Sequence, residues 1–396
     1  MREGWERRSI ANVTMNVEKN GPQSESFRYV DISSVDRVLK AIIVARQMPS
    51  TEAPGRARQN LRSGDVLVST VRPNLNAVAW VPPALHDAIG STGFAVLRAR
   101  VDVIPEYLFA IVRSTLFVEA MSDRASGSNY PAVTDAIVKS YEFSLPPLAE
   151  QRRIVDLIGA VDEVIEAAHE HEVASARTFA QLRETLFIPS AGWKATTIGN
   201  ELSRIRRPVV VDTAADYAEI GTRSHGRGVF LKEPVTGEAL GSKKVFYVAP
   251  GDLVFNIVFA WEGSVALLGE ESQGRIASHR FPTFRGSQDW SVEYFNHFFT
   301  TARGRDLLVE YSPGGAGRNK TLSVTRLLEV ATQVPADSDS AFSILETLRA
   351  AEACALSSAQ HVLSTRDLRS RLLTTLLSGT HEIPASYDRF LEASAA

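Results

Sequence analysis

The sequence contains a single cysteine, Cys354, and this scarcity excludes two structural classes. A disulfide framework needs paired cysteines, and cysteine-based zinc sites need several of them. Cys354 lies in a helical pattern, which predicts a small buried side chain and not a nucleophile. A lone cysteine also suits a reducing compartment, so we expect a cytoplasmic protein.

Long apolar runs and familiar catalytic motifs are missing too. No stretch approaches the ~18 consecutive apolar residues of a membrane span, and the start MREGWERRSI lacks the apolar centre of a signal peptide. There is no Walker-type phosphate loop, no strand-anchored GxGxxG, no HExxH and no GxSxG. His169 and His171 lie two apart on a predicted helix and so point to different faces. We therefore expect no catalytic residue, no metal site and no membrane contact.

What is present is an ordinary globular composition with an uneven distribution of charge. A chain of 396 residues, 44% of them hydrophobic, predicts two or three packed domains. Residues 1–148 and 192–335 each hold 17 basic and 15 acidic residues, whereas the remaining segments together hold 9 and 16. The excess of acidic residues lies in predicted helices, so binding of a polyanion would depend on local groups of basic residues.

A repeat of roughly 190 residues runs through the chain. Its matches are the Gly-Trp pairs at 4–5 and 192–193, YVDIS at 29–33 and YAEIG at 217–221, GDVLVS at 64–69 and GDLVFN at 251–256, and the triplets at 127–129 and 317–319. Each match is weak alone, but collinear matches at a nearly constant offset indicate a tandem duplication. Within each copy, short β-rich runs accompany a helical patch, which predicts a compact α+β unit.

Each copy ends in a long heptad pattern. Seam positions alternate by four and three from Ile154 to Leu186, and adding 190 gives a second seam from Ile344 to Leu376. A helix over 149–186 would be roughly 57 Å long at ~1.5 Å per residue, and the duplicated seam is its obvious partner. We expect the helices to pair as a coiled-coil strut, although a helix packed only on its own domain remains an alternative. The predicted pairing residues are Ile154, Ile158, Val161, Ile165, Ile344, Leu348, Ala351 and Ala355.

An enzymatic alternative rests on the repeated Gly-Asp pairs that contain Asp65 and Asp252. An acidic residue on a strand could hold Mg²⁺ in a nuclease. Such a site needs a second carboxylate and a lysine at short spacing, and neither GDVLVSTVRPN nor GDLVFNIVFAWEG supplies them. We therefore predict that both pairs are turns that enter strands, and we keep a metal-dependent nuclease as the alternative.

Basic and amide side chains collect on the predicted loops of both copies. Arg, Asn and Gln can form bidentate bonds with base edges, and Lys and Arg also bind phosphates. This concentration outside the acidic helices favours nucleic-acid binding over an ordinary solvated surface. The loop residues differ between the copies while the scaffold residues match, which suits two different targets. The predicted DNA-binding residues are Arg56, Arg58, Arg62, Arg72, Asn74, Asn76, Asn129, Tyr130, Arg204, Arg206, Arg207, Arg223, His225, Arg227, Lys243, Lys244, His279, Arg280, Arg318, Asn319 and Lys320.

LPPLAEQRRIVDLI at 145–158, preceded by GSNYPAV and by PGRAR and GDVLVSTVRPN, resembles the specificity subunit of type I DNA restriction-modification systems. The similarity covers essentially the whole chain, although the second helix is entered through QVPADSDSAFSILETL and lacks LPPLAEQ. The resemblance implies a first target-recognition domain at 1–147, a spacer helix at 148–190, a second target-recognition domain at 191–335, a second spacer helix at 336–380 and a tail at 381–396.

The resemblance also implies how such a chain works. Each domain would read a short half-site of double-stranded DNA, and the two helices, packed antiparallel, would set an unread spacer. Two modification subunits would dock around the helices, bind S-adenosylmethionine and methylate adenine, and a restriction subunit would add ATP-dependent translocation and cleavage. This chain would be non-catalytic and hold no cofactor. A specificity-like protein of another defence system stays open as an alternative.

Overall fold

The structure is a computed structural model that describes residues 2–127, 129–314, 320–388 and 390. The chain divides into two compact units, unit 1 with residues 1–169 and 360–396 and unit 2 with residues 170–359. Each unit therefore combines one α+β domain with parts of both long helices. The α+β class expected from the sequence is confirmed.

The elements of the first copy, in chain order, are β1 (Glu6–Ser9), α1 (Ile10–Val13), β2 (Thr14–Met15), β3 (Ser26–Val30), β4 (Val35–Asp36), β5 (Ala41–Ile42), β6 (Arg46–Pro49), β7 (Ala57–Asn60), β8 (Val66–Ser69), β9 (Val78–Trp80), β10 (Ile89–Ser91), β11 (Phe94–Ala99), α2 (Pro105–Arg113), α3 (Thr115–Asp123), α4 (Asp135–Lys139), β12 (Glu142–Leu145) and the long helix α5 (Leu148–Leu186).

Those of the second copy are β13 (Trp193–Thr197), α6 (Ile198–Glu201), β14 (Leu202–Ile205), β15 (Asp216–Tyr217), β16 (Ile220–Thr222), β17 (Val229–Leu231), β18 (Val235–Thr236), α7 (Gly237–Leu240), β19 (Val245–Tyr247), β20 (Leu253–Phe255), β21 (Val265–Leu267), β22 (Ile276–Ser278), β23 (Thr283–Gly286), α8 (Ser291–Phe298), α9 (Ala302–Glu310), α10 (Val324–Leu328), β24 (Ala331–Pro335) and the long helix α11 (Ser338–Leu377).

The second copy repeats the order and spacing of the first. Counted from their first residues, α6 begins 188 residues after α1, β21 begins 187 after β9, α9 begins 187 after α3, and α11 begins 190 after α5. The offsets equal those of the sequence matches. The tandem duplication is therefore present in the structure as well as in the sequence.

The main sheet of unit 1, with strand order β2-β11-β8-β9-β5-β4, is buried on both faces. Val66 and Val68 pack into the core that contains helices α2 and α3, whereas Leu67 between them packs into the core on the opposite face. Because side chains alternate along a strand, burial on both faces requires an unbroken apolar run such as VLV. The sheet β6-β3-β10-β7 and the antiparallel pair β1-β12 complete the domain.

Unit 2 is built on the corresponding sheet, with order β14-β23-β20-β21. Leu253 and Phe255 face one core and Val254 faces another, as in the first copy. The pair β13-β24, in register from Trp193 opposite Pro335, corresponds to β1-β12. The same apolar pattern thus produces the same layers twice.

Two residues of the segment LPPLAEQ, at the start of α5, form buried hydrogen bonds to the preceding domain. Gln151 is fully buried; its side-chain oxygen accepts from the Ile104 amide at 2.8 Å and its amide group donates to the Pro146 carbonyl at 2.9 Å. Glu150, also buried, accepts from the Trp5 indole at 3.1 Å. These bonds attach the first turn of the long helix to the domain before it.

The long helices pack against each other along the predicted seam. In unit 1, Ile154 and Ile158 of α5 share a core with Leu373 and Leu376 of α11, and further along α5 Asp162 bonds Arg369. Rising numbers on one helix meet falling numbers on the other, so the pairing is antiparallel. Val161, Ile165, Ile344, Ala351 and Ala355 are half-buried, and Leu348 is buried.

The prediction that Cys354 is a buried filler is wrong, because its side chain is exposed. Cys354 directly precedes the seam position Ala355, and one residue turns a helix by ~100°, which moves the thiol to the edge of the seam. The thiol lies 3.9 Å from the Ser175 hydroxyl. In the part of the chain that the structure describes, no helix is long and apolar enough to cross a membrane.

Candidate nucleic-acid interface

The repeated Gly-Asp pairs are structural turns. Asp65 is 1% exposed and is held by Arg98, whose Nε and Nη2 donate to its two oxygens at 2.8 and 2.7 Å. It also accepts from the Arg62 amide at 2.7 Å. Gly64 before it adopts a φ of 86°, a left-handed conformation that favours glycine.

Asp252 is bound in the same way in the second copy. It is 0% exposed, lies 2.6 Å from Arg285 Nε and also 2.6 Å from Arg207 Nη1. Arg285 follows Arg98 at the repeat offset of 187. Arg207, predicted to bind DNA, therefore has its guanidinium engaged with a buried carboxylate.

These contacts leave the nuclease alternative without support. Both aspartates are enclosed and already neutralised by arginine, so neither presents free oxygens to a metal ion. Across the described residues, no group of three or more His, Cys, Asp or Glu side chains could hold a metal ion. The exposed basic and amide side chains remain as the candidate functional groups.

In unit 1, five of the predicted DNA-binding residues lie on two neighbouring loops, here called the first loop pair: residues 72–76 and residues 126, 127 and 129–132. The 3₁₀ turn Pro73–Leu75 lies between Arg72 and Asn76, which have φ values of 49° and 44°. The other loop is closed by the bridge between Ser126 and Ala132, and its Pro131 carbonyl accepts from the Arg72 amide at 2.7 Å. The chain is thus held in a strained, well-defined shape, which is common at binding sites.

The first loop pair presents an arginine stacked on an aromatic ring. The Arg72 guanidinium lies 4.7 Å from the centre of the Tyr130 ring, and Tyr130 is 70% exposed. Asn74 and Asn129 are exposed nearby in sequence, whereas the Asn76 side-chain oxygen is buried and has no hydrogen-bond partner among the described residues. Stacking restricts the guanidinium while its N–H groups stay available for acceptors on a ligand.

Unit 2 contains a second loop pair, formed by residues 259–263 and by the bridged residues Gly314 and Lys320. The turn Ala260–Glu262 lies 187 residues after Pro73–Leu75, and the bridge between Gly314 and Lys320 lies 188 after that between Ser126 and Ala132. Here Lys320 Nζ lies 4.9 Å from the centre of the Trp261 ring. The predicted residues Arg318 and Asn319 fall outside the described residues.

The loop pairs therefore carry the same interaction with reversed roles. In the first, the cation comes from the turn and the aromatic ring from the bridged loop, whereas in the second the turn supplies Trp261 and the bridged loop supplies Lys320. Trp261 was not among the residues predicted from the sequence. Its alignment with Asn74 at offset 187 was the available signal, but an asparagine and a tryptophan share no chemistry that would reveal it.

The loop that contains Arg223, His225 and Arg227 joins the second loop pair. The His225 and Gly226 amides donate to the Glu262 and Gly263 carbonyls, each at 2.8 Å. Arg223 stacks on Phe230 at 5.5 Å, and His225 and Arg227 are exposed. The structure thus joins Arg223, His225 and Arg227 to the loop pair that contains Lys320, although these residues are widely separated in the sequence.

The other predicted residues lie in separate places. Arg204, Arg206 and His279 line a small groove with Phe246 and Phe281, and burial followed by the charge of Arg206 lowers the pKa of Arg204. The exposed remainder is Arg56, Arg58, Arg62, Lys243, Lys244 and Arg280. Their contact with DNA stays a prediction.

Parts of the chain are similar to a known protein family and to two characterised proteins. Residues 59–174 match a family model described as the type I restriction modification DNA specificity domain. The chain is 24% identical over 187 residues to the type I restriction enzyme HindI specificity subunit of Haemophilus influenzae, a stretch covering 46% of this chain and 40% of that protein. It is 24% identical over 103 residues to the MjaIX specificity subunit of Methanocaldococcus jannaschii, covering 26% and 23%.

Two solved structures share the fold. One, from a study of complex assembly and conformational transition of the type I R-M system, superposes with a TM-score of 0.69 at 22% identity, covering 96% of this chain and 99% of that one. The HsdS subunit from Thermoanaerobacter tengcongensis gives a TM-score of 0.51 at 24% identity, with 96% and 98% covered.

Fold and site define a tandem scaffold, with two α+β domains, two diverged loop pairs and two long helices. The family model and the curated relatives match parts of the chain, and the solved structures share its fold. Residues 59–174 are thus similar to the type I restriction modification DNA specificity domain, and the two relatives to which parts of this chain are similar are specificity subunits.

Proposed function

We propose that this chain is the non-catalytic DNA-reading subunit of a type I restriction-modification complex. Each loop pair reads one half-site of duplex DNA, and the paired helices set the unread spacer between the half-sites. The observation that carries the proposal is the loop pair itself, built twice on one scaffold with different side chains, Arg72 and Tyr130 in one copy and Trp261 and Lys320 in the other. Different side chains on equal scaffolds suit a split, asymmetric target.

The chemistry of the reaction belongs to the partners in this proposal. Two modification subunits dock around the helices and bind S-adenosylmethionine, and a restriction subunit supplies ATP-dependent translocation and cleavage. The buried, arginine-bound state of Asp65 and Asp252 supports a reading role for this chain over a catalytic one.

Selection from a random pool of duplex DNA tests this function. The chain, purified with its modification subunits, should enrich one split asymmetric sequence at modest salt, and binding should weaken steeply as salt rises because phosphate contacts release counterions. Enrichment of no defined split sequence would contradict the proposal. Mg²⁺-dependent cleavage by the isolated chain would contradict its non-catalytic role.

A further inference from the structure

A basic groove lies beside the helix pair within unit 1, where the β4–β5 hairpin tip, Arg37–Lys40, approaches α5 and α11. The groove has a volume of about 470 Å³. Its charged lining consists of four cations, Lys40, Arg113, Arg366 and Arg369, and two carboxylates, Asp162 and Glu166. Positive charge therefore exceeds negative charge in a partly enclosed space.

The excess persists when pairing is considered, because the single negative charge of Asp162 is shared by two guanidinium groups. Arg113 Nη1 lies 2.9 Å from one of its oxygens, and Arg369 Nη2 donates at 3.0 Å to the same atom. Burial, followed by Arg113 and Arg369, lowers the pKa of Lys40 to about 8. Among the described residues, none forms an ion pair or hydrogen bond with the side chain of Arg366. A carboxylate that entered the groove would offset the repulsion between Lys40 and the neighbouring arginines.

The hairpin tip adds an apolar rim. Val38 and Leu39 are 62% and 58% exposed, and their amides donate to the Asp36 carboxylate at 2.7 and 2.9 Å. Lys40 has a φ of 56°, and its ammonium group donates to the Asn76 carbonyl at 2.5 Å. A tip fixed in this way holds two aliphatic side chains in water, which is typical of a protein-binding surface and unsuited to the phosphates of DNA.

The second copy does not repeat this chemistry. At the repeat offset of 187, Val38 and Leu39 correspond to His225 and Gly226, and Arg113 corresponds to Thr300. At the helix offset of 190, the counterparts of Arg366 and Arg369 are Ala176 and Phe179. The basic groove with its aliphatic rim is thus a feature of unit 1.

We propose that the basic groove binds a segment of one modification subunit, with a carboxylate between Lys40 and Arg366 and aliphatic side chains against Val38 and Leu39. Since the second copy has different side chains at these positions, one modification subunit is held through the groove and the other docks by different contacts. This inference rests on the proposed function and adds an asymmetry to it.

Native mass spectrometry of the chain co-expressed with its modification subunit tests the groove. Wild-type complexes should contain two modification subunits per chain, whereas Arg366→Glu, and separately the double variant Val38→Asp with Leu39→Asp, should retain one. The affinity for the lost subunit should fall about tenfold or more, as expected when charge or apolar contact is removed from a buried interface. Val101→Asp, at a 98% exposed apolar position of the same unit, is the matched control and should retain both.

Four results would contradict the inference or the function on which it rests. Groove variants that keep both subunits at unchanged affinity, or that lose both, overturn the inference. Variants that keep both subunits but bind DNA more weakly overturn it as well, because the groove would then contact phosphate. A wild-type chain that binds no modification subunit contradicts the proposed function itself.

Discussion

At the scale of single residues, the most informative feature is the pair of buried aspartates. Asp65 and Asp252 occur at corresponding positions, and so do Arg98 and Arg285 that bind them. A carboxylate taken out of water must be paired, and here the partner comes from a neighbouring strand of the same sheet. The duplication has preserved an ion pair that joins a turn to its sheet.

Asp65→Ala should therefore destabilise the protein instead of abolishing a chemical activity. The substitution leaves the Arg98 guanidinium buried without its partner, which costs about 3–5 kcal/mol. Chemical denaturation should show this loss, and Glu119→Ala, at an exposed helical position of the same unit, should change stability by no more than ~0.5 kcal/mol. A fully stable Asp65→Ala variant would refute the structural role.

Lys40 should leave a signature in the pH dependence of stability. Burial, with Arg113 and Arg369, lowers its pKa from 10.5 to about 8, while Asp36 opposes the shift. Above pH 8 the unfolded chain holds this proton more tightly than the folded chain, so folding gains stability as pH rises toward 10.5. The free energy of unfolding of Lys40→Met relative to wild type should thus decrease between about pH 7.5 and 9.5. A pH-independent difference would argue against the lowered pKa.

At the scale of elements, the 3₁₀ turns and bridged loops form a repeated framework for variable side chains. The framework depends on backbone features, such as the left-handed conformations at Asn76 and Gly263, the residues that directly follow the two turns. The side chains on the framework are then free to differ. Because the backbone sets the framework and the side chains are free to vary, the two copies match in scaffold residues and differ in loop residues.

Arg72→Ala should relax recognition of one half-site only. Loss of a guanidinium held against Tyr130 should cost about 1–3 kcal/mol of discrimination at one base position. Binding measured on duplexes altered in one half-site at a time would show this, and Lys320→Ala should affect the other half-site. Equal weakening at both half-sites by either variant would contradict the assignment of one loop pair to each.

At the scale of the whole molecule, both long helices contribute to both units. α5 begins in unit 1 and ends in unit 2, and α11 begins in unit 2 and ends in unit 1. The residues after α11 also belong to unit 1, where Arg153 bonds Asp388 at 2.6 Å and Tyr387 donates to Asp156 at 2.6 Å. Unit 1 therefore depends on chain segments from opposite ends of the sequence, whereas unit 2 is one continuous segment.

Lengthening both helices by one heptad at paired seam positions should lengthen the unread spacer. Seven residues add about 10.5 Å of helix, which equals roughly three base pairs of duplex DNA. Sequencing of the selected targets should show unchanged half-sites further apart. Insertion into one helix alone is the control and should disrupt the seam. An unchanged spacer in the double insertion would contradict the proposal that the paired helices set the spacer.

The sequence by itself determined the duplication, the α+β class and the two long helices, because these depend on periodicity and on the spacing of local patterns. Heptads define a seam and runs such as VLV define a buried strand without knowledge of distant residues. The same reasoning predicted that the Gly-Asp pairs are turns. The five-segment division of the chain stays a prediction.

Only the tertiary structure decided which polar side chains are available. Arg207 and Arg72 look alike in the sequence, yet one binds buried Asp252 and the other stacks on an exposed tyrosine. Trp261 joins a loop pair, and Cys354 lies beside the seam instead of within it. The physical reason is that burial and ion pairing are set by residues far apart along the chain, which a local pattern does not encode.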